Sequence, residues 1–141
     1  MEIQIKRLKP HAKLFSYAHK GDAGADVYSA EEYLLIPGQR RTISTGIAVA
    51  IPEGYVGLVW GKSGIASRNG VTTLAGVIDS GYRGEVGIVL ANLGEEPFRI
   101  ERGMKVAQFL IQKVESVEFI EAEELDQTTR GEGGFGSTGV K

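Results

Sequence analysis

Apolar residues recur along this chain in short runs that turn residues separate, and helical periodicity is almost absent. Runs of this length and pattern are typical of β-strands. The N-terminal segment, for example, alternates between polar and apolar residues as a strand does. The strands predicted in this way are Ile3 to Leu8, Tyr33 to Ile36, Thr42 to Ile51, Tyr55 to Trp60, Val71 to Ile78, Val86 to Leu90, Val106 to Val114 and Val117 to Ile120.

Turn signals divide these runs at regular intervals, among them Pro37-Gly38, Pro52-Glu53-Gly54 and Arg102-Gly103. Many short strands between such signals predict an all-β fold, either a β-sandwich, a barrel or a jelly roll. One short helix is predicted from about Gly64 to Arg68. No internal repeat and no second domain are apparent, so residues 1–141 are expected to form a single domain.

Composition narrows the class of protein. The chain has 141 residues, of which 42% are hydrophobic, so it can bury a core. Its net charge of -2 gives no general electrostatic reason to bind nucleic acid or an anionic membrane. No apolar stretch is long enough to span a bilayer, and the N-terminus does not resemble a signal peptide. With no cysteine, a cytoplasmic protein is expected.

The last residues follow a different pattern. Acidic residues around Glu121 to Asp126 are followed by a glycine-rich segment that fits neither strand nor helix. Such a terminus is usually disordered. Arg130 and Phe135 favour another interpretation, in which a mobile segment closes over an anionic, aromatic ligand. The β core is therefore predicted to span about residues 1–125, and the lid about 126–141.

The segment Gly76 to Glu85 is the most informative stretch of the chain. An apolar run ends at Asp79, a glycine turn follows, and Tyr82 lies on this turn before the next strand. The pattern predicts a β-hairpin with a carboxylate and an aromatic ring side by side at its mouth. Such a pair can activate a water beside a stacked sugar or base. A solvated Asp and a half-buried Tyr on an ordinary hairpin remain the alternative.

Other motifs carry weaker signals. Gly61-Lys62-Ser63-Gly64 resembles part of a phosphate loop, but Val56 stands where the full motif needs glycine. A phosphate site and an ordinary strand-to-helix turn both remain open here. Asp26 lies in a small-residue strand and Gln108 in an apolar one, and neither is decisive. His11 and His19 lack partners at metal spacing and are predicted to lie on the surface.

Taken in order, five segments resemble the homotrimeric dUTP diphosphatases, the dUTPases. They are Ala23–Ala30, Gly61–Ser67, Gly76–Glu85, Arg102–Gln108 and Arg130–Gly139, and they extend over nearly the whole chain. The third and fifth segments are the most specific. The second and fourth differ from the usual pattern, because Lys62 replaces Arg and Met104-Lys105 replaces Asp-Arg.

The resemblance implies a jelly-roll protomer and a homotrimer with three shared active sites, each closed by the tail of one chain. It also implies hydrolysis of dUTP to dUMP and pyrophosphate with Mg²⁺ bound to the triphosphate. In the cell this reaction limits uracil incorporation into DNA and supplies dUMP for thymidylate synthesis.

The same resemblance implies residue roles. Asp79 activates the water that attacks the α-phosphorus and contacts the 3′-hydroxyl, and Arg130 acts like an arginine finger. Tyr82 packs on the sugar and excludes a 2′-hydroxyl, Phe135 stacks on uracil, and Asp26 holds magnesium through water. The remaining substrate-binding residues are Lys62, Ser63, Gly64, Thr73, Val77, Ile78, Glu85, Gly87, Gln108, Gly136, Ser137 and Thr138; the backbone of Val77 to Gly87 reads the uracil edge.

Two rival functions are weighed against this reading. The related dCTP deaminases share the fold, but their catalytic glutamate corresponds to Val89, which cannot transfer a proton. The second rival is a regulatory or structural β-trimer that binds nucleotide without turnover. Lys62 is the departure near the phosphates that favours it, whereas Asp79, Tyr82, Arg130 and Phe135 argue against it.

Overall fold

The computed structural model describes all 141 residues and is built almost entirely of β-strands. Every strand pairing is antiparallel. The elements are β1 (Gln4–Arg7), β2 (Ala25–Tyr28), β3 (Tyr33–Leu35), β4 (Arg40–Ile43), β5 (Ile47–Ala50), β6 (Tyr55–Trp60), α1 (Ser63–Asn69), β7 (Val71–Leu74), β8 (Val77–Ile78), β9 (Ile88–Asn92), β10 (Phe98–Ile100) and β11 (Lys105–Lys113).

Two larger sheets and two strand pairs enclose one hydrophobic core. The four-stranded sheet has the order β2-β11-β6-β8, and the three-stranded sheet has the order β4-β9-β7. The pairs β1-β5 and β10-β3 complete the fold. The core joins side chains from most strands, including Val27, Ile43, Ile88, Ile100 and Phe109. The predicted all-β, jelly-roll-like class is thus confirmed.

Two of the predicted runs are each divided into two strands. Thr42 to Ile51 separates into β4 and β5 at Gly46, whose φ is 67°. Val71 to Ile78 separates into β7 and β8 at Ala75 and Gly76, whose φ values are 60° and 121°. Residues with positive φ cannot continue an extended strand, so the chain changes direction there and the two halves join different sheets.

One strand was missed and one predicted strand is wrong. The missed strand is β10, which pairs with β3. With three residues, β10 is too short a run to stand out in the sequence. The predicted strand Val117 to Ile120 is absent, since the last residue bonded to the body is Val114, whose N–H donates to the Gly54 carbonyl. Without a neighbouring strand, Val117 and Ile120 are 61% and 80% exposed.

The predicted hairpin at Gly76 to Glu85 is also wrong, because the strands on either side of the turn do not pair with each other. β8 pairs with β6, whereas β9 pairs with β4 and β7. The segment therefore crosses from one sheet to the other as a loop. Its returning arm pairs with β5, through a bridge between Ala48 and Glu85. Residues 79–87 are called the Asp79 loop below.

The predicted helix is confirmed as α1. It ends at Gly70, which has left-handed backbone geometry with φ of 69° and donates to the carbonyls of the last turn. At seven residues it is the structure's one helix, and it is far too short to cross a membrane.

The C-terminal segment from residue 115 onward makes no hydrogen bond to the body of the protein. Its hydrogen bonds are local turns, such as that from the Arg130 Nε to the Gly133 carbonyl at 2.7 Å. Phe135 is fully exposed. The segment leaves the body about ten residues before the predicted lid boundary at 126, and the lid itself stays a prediction.

Gly57 in β6 provides a test of the core packing. A Cβ at this position would lie 2.4 Å from Cζ of Phe109 and 2.7 Å from Cδ1 of Ile51. Gly57→Ala is therefore expected to lower the free energy of unfolding by about 1–3 kcal/mol through overpacking. Denaturant unfolding checks this, with Gly134→Ala as the control because a Cβ there meets nothing. Equal stabilities of the two variants would contradict the packing.

Candidate active site

An open cavity of about 570 Å³ lies beside the Asp79 loop and is here called the Asp79 cavity. This volume is suited to a nucleoside-sized ligand. Six of its eight lining residues were predicted from the sequence: Val77, Ile78, Asp79, Tyr82, Glu85 and Gly87. The other two, Thr42 and Ser44, come from β4 and the connection that follows it.

Hydrogen bonds fix the conformation of the Asp79 loop but leave the carboxylate of Asp79 free. The Tyr82 N–H donates to the Asp79 carbonyl at 3.1 Å, which closes the turn. Arg83 Nη1 donates to the Ser80 and Tyr82 carbonyls at 2.6 and 3.0 Å. The Asp79 side chain is exposed and receives no hydrogen bond from the protein. Its oxygens are therefore available to a water or a ligand hydroxyl.

A second group of predicted residues meets because of the register of β11. Gln108 lies opposite Asp26 of β2 on one side and opposite Trp60 of β6 on the other. Residues directly opposite in antiparallel strands share a face, so Gln108 and Asp26 lie together. Gln108 Nε2 donates to the Gly61 carbonyl at 2.9 Å, which fixes the chain just before Lys62.

A β-bulge adds Lys105 to this group. Lys105 pairs with Tyr28 and Ala107 pairs with Val27, so Val106 is the extra residue. In a regular strand Lys105 would share the core-facing side of Ala107. The bulge turns Lys105 to the opposite face, where its Nζ lies 2.9 Å from Oδ2 of Asp26.

Asp26 therefore stands between two ammonium groups. Lys62 Nζ donates to Oδ1 at 2.6 Å, and the Asp26 side chain is almost fully buried. Burial alone would raise the pKa of the Asp26 carboxyl, but the hydrogen bonds and charges of Lys62 and Lys105 outweigh it and hold this pKa below its ordinary value of 3.8. The hydrogen bond and charge of Asp26 in turn raise the pKa of Lys105.

These side chains line a cavity of about 400 Å³, here called the Lys62 cavity, together with Asp22, Gly24 and Ala23. Its two carboxylates and two ammonium groups cancel in formal charge. At its edge, α1 begins with Ser63 and Gly64, and the first hydrogen bond of the helix runs from the Ala66 N–H to the Lys62 carbonyl. The earlier N–H groups of the helix start remain free to donate to an anion.

One protomer does not bring all the predicted site residues together. Thr73 lines a third cavity with Gly61 and Val77, and Val77 also borders the Asp79 cavity. The Asp79 and Lys62 cavities share no lining residue. The predicted tail residues stay apart from all three cavities: Arg130, Phe135, Gly136, Ser137 and Thr138.

Four polar residues that line the Asp79 and Lys62 cavities were not predicted as site residues from the sequence. Thr42 and Ser44 belong to a strand run with no distinguishing motif, and Lys105 depends on a bulge that the sequence does not reveal. Asp22 lies in a turn, where its Oδ2 accepts from the His19 N–H at 2.9 Å. Both histidines are exposed, as predicted, and no group of three or more carboxylate or imidazole side chains could hold a metal alone.

Comparison with known proteins identifies the family. The dUTPase family profile matches residues 10–139. The deoxyuridine 5′-triphosphate nucleotidohydrolase of Alkaliphilus metalliredigens is 50% identical over 141 residues, which covers 99% of this chain and 98% of that protein. The chain belongs to the dUTPase family.

Solved dUTPase structures have the same fold. A point mutant of the dUTPase from Staphylococcus bacteriophage 80alpha, solved with dUpNHpp, superposes with a TM-score of 0.94 at 35% identity and covers 99% of both chains. A mutant dUTPase from phage phi11 of S. aureus, described with a structural Mg(II) ion, gives a TM-score of 0.84 at 31% identity over 88% of this chain and 98% of that one.

The ion pairs of Asp26 predict a pH-dependent contribution to stability in this dUTPase. Because its folded pKa is lowered, the stabilisation is present above the ordinary pKa of 3.8 and is lost as the pH falls through the folded pKa. Asp26→Asn should lower the free energy of unfolding by about 1–3 kcal/mol at neutral pH. This deficit should shrink below pH 4 or so.

Urea unfolding at fixed protein concentration between acid and neutral pH measures this deficit. Asp22→Asn provides the matched control, because Asp22 is exposed and bonds only to a backbone N–H. A deficit for Asp26→Asn that stays constant into strong acid would contradict the assigned ion pairs.

Proposed function

We propose that this protein hydrolyses dUTP to dUMP and pyrophosphate in the cytoplasm, by attack of water on the α-phosphorus. The observation that carries the proposal is the Asp79 cavity, where a free carboxylate and a tyrosine ring line a nucleoside-sized space. Membership of the dUTPase family and the fold shared with a dUpNHpp-bound relative support it. The reaction would limit uracil in DNA and supply dUMP for thymidylate synthesis.

Asp79 is the group proposed to orient and activate the attacking water. Its oxygens accept no hydrogen bond from the protein, so they can accept from a water and from the 3′-hydroxyl of the sugar. General-base assistance of this kind contributes on the order of 10²–10⁴-fold to the rate. Tyr82 would lie against the deoxyribose, and the backbone from Val77 to Gly87 would read the uracil edge.

The Lys62 cavity is proposed to hold phosphate oxygens. Lys62 and Gln108 line this space, and α1, with its free N–H groups, begins at the residue directly after Lys62. Because the formal charges of this cavity cancel, a triphosphate needs further cations to be neutralised. Arg130 from the tail is one candidate, and Mg²⁺ bound to the nucleotide is the other.

The residues present fit Mg²⁺ only indirectly. Asp26 is buried, and each of its oxygens already accepts from a lysine, so it can contact the ion through a bound water but cannot ligate it directly. The triphosphate would supply the direct ligands. When bound, the ion neutralises charge that develops on the phosphate oxygens.

A homotrimer is proposed because the cavities of one protomer lie apart and its surface exposes many apolar residues. Trp60, Leu93 and Phe119 are 60%, 74% and 94% exposed, and a subunit interface would remove such side chains from water. In the trimer, the Asp79 cavity of one copy would face the Lys62 cavity of a second, and the tail of the third would close over both. Phe135 would then stack on uracil, while Gly136, Ser137 and Thr138 bind phosphate.

A dCTP deaminase is the less favoured alternative. Val89, at the position of the deaminase glutamate, lies in β9 opposite Thr42 and does not line the Asp79 cavity. The carboxylates that line that cavity are those of Asp79 and Glu85. Release of ammonia from dCTP would favour this alternative.

Asp79→Asn tests the proposed function directly. We expect pyrophosphate release from dUTP, with dCTP, dTTP and UTP far slower, and a fall in turnover of about 10²–10⁴-fold in the variant, because an amide cannot accept the proton. Binding of dUpNHpp should persist. Wild-type protein that binds this analogue yet releases no pyrophosphate would indicate a nucleotide-binding protein without turnover.

Deletion of residues 130–141 tests the tail as a lid. Since no hydrogen bond joins the tail to the body, the thermal midpoint and the oligomeric state should not change. Turnover of dUTP should fall by about 10³-fold or more, as expected when an arginine that stabilises phosphoryl transfer is removed. Loss of folding would mean that the tail is structural, and full activity would exclude the lid.

A further inference from the structure

Glu85 faces the Asp79 cavity, yet its carboxylate is already engaged by the protein. Its Oε1 accepts from the Gly46 N–H at 2.7 Å and from the Ser44 hydroxyl. Lys9 Nζ in turn donates to the Ser44 Oγ at 2.7 Å. Both donors bind Oε1, whereas Oε2 accepts no hydrogen bond from the protein. Direct substrate binding by Glu85 stays a prediction, and the contacts of Oε1 give this carboxylate a structural role as well.

The backbone around Glu85 is fastened to the same place. Glu85 forms a bridge with Ala48, and the Val86 N–H donates to the Ile47 carbonyl at 2.8 Å. The hydroxyl of buried Thr45 donates to the Val86 carbonyl at 2.6 Å. The returning arm of the Asp79 loop is thus bonded to the connection between β4 and β5 through both side chain and backbone.

Tyr82 is attached to this arm at its tip. Its hydroxyl donates to the Glu85 carbonyl at 2.8 Å, so the ring lies across the intervening Gly84. A Cβ on Gly84 would come within 2.5 Å of the Tyr82 hydroxyl oxygen. The ring is otherwise 44% exposed, and a half-exposed ring on a loop has few other restraints. Its position therefore depends on where Glu85 is held.

We propose that Glu85 is a positioning residue that sets the discrimination between deoxyribose and ribose. The Glu85 carboxylate, together with Ser44 and Lys9, fixes the returning arm of the Asp79 loop. This arm includes the Glu85 carbonyl, which accepts the hydrogen bond from the Tyr82 hydroxyl. This inference rests on the proposed function, in which the Tyr82 ring excludes a 2′-hydroxyl. Steric exclusion of a single oxygen requires a wall that stays within about 0.5 Å of its place, and a loosened wall admits the larger sugar.

The test compares four single variants and one double variant by the ratio of kcat/KM for dUTP to kcat/KM for UTP. Glu85→Ala removes the acceptor, and Glu85→Gln keeps an oxygen for the Gly46 N–H and the Ser44 hydroxyl. Tyr82→Phe removes the hydroxyl but keeps the ring. Glu53→Ala is the control, because Glu53 is an exposed turn residue whose side chain bonds to nothing.

Glu85→Ala and Tyr82→Phe should each lower the ratio by about tenfold or more, chiefly through faster UTP turnover. The Glu85→Ala/Tyr82→Phe double variant should lose no more than the larger single effect, because both changes release the same ring. Glu85→Gln should keep most of the ratio and Glu53→Ala all of it. A ratio unchanged in Glu85→Ala, or equal losses for dUTP and UTP, would overturn the proposal.

A further variant, Ser44→Ala, and a binding measurement test the role of Glu85 if Glu85→Ala does not fold or if turnover is absent. If Glu85→Ala fails to fold, Ser44→Ala removes one of the two donors to the carboxylate and should lower the ratio in the same direction; an unchanged ratio would then overturn the proposal. Calorimetric binding of dUDP and UDP reports discrimination without turnover. Wild-type protein that binds dUDP in preference to UDP but hydrolyses nothing would refute the proposed function and leave the role of Glu85 testable by binding.

Discussion

The register of β11 is the constraint on which the Lys62 cavity depends, where we propose that phosphate binds. This strand lies between β2 and β6, and Gln108 pairs with a residue of each. A slip of one residue would move Gln108 into the core and Phe109 out of it, because side chains alternate between faces. The buried positions of Ala107 and Phe109 exclude that slip. Packing of the core thus places polar groups that are far apart in sequence on one face.

The bulge at Val106 adds Lys105 to this face, from which regular strand pairing would turn it away. By adding one residue, it brings Lys105 to the side of Asp26 while Val106 and Ala107 both remain buried. A carboxylate with one ammonium on each oxygen is fixed in rotation about its last bond. Lys62 and Lys105 are consequently held apart at the two sides of Asp26, and an anion entering the cavity meets two separated cations.

Most strands could be predicted because apolar runs and turn residues mark them directly. The limits of the prediction have specific physical causes. Gly46 and Gly76 divide runs that look continuous, and only their backbone angles show it. The Asp79 loop looked like a hairpin because sequence shows where a chain turns but not which strand it pairs with afterwards.

Site residues that lie close together in the sequence could be predicted, whereas those that meet only in the folded protein could not. Asp79 and Tyr82 share one short segment and line one cavity, so the sequence placed them together. Ser44 lies 41 residues before Glu85 and contacts it only in the folded protein. Lys105 reaches Asp26 only because of the bulge in β11, which the sequence does not reveal. Arg130 and Phe135 stood out in the tail by composition, but their roles followed from family resemblance, and within one protomer no hydrogen bond joins the tail to the body.

Lysine at positions 62 and 105 changes how phosphate binding would proceed. Arginine can bind a carboxylate and still present further donors in a fixed fork, whereas an ammonium is a single point with three donors. For Lys62 or Lys105 to contact phosphate fully, part of its hydrogen bonding to Asp26 must weaken. One charge-assisted bond then replaces another, so the net gain in binding free energy is small compared with either bond alone. If the proposed function holds, affinity for the triphosphate would come mainly from groups that are not already paired, namely the helix N–H groups and the cations that arrive with the ligand and the tail.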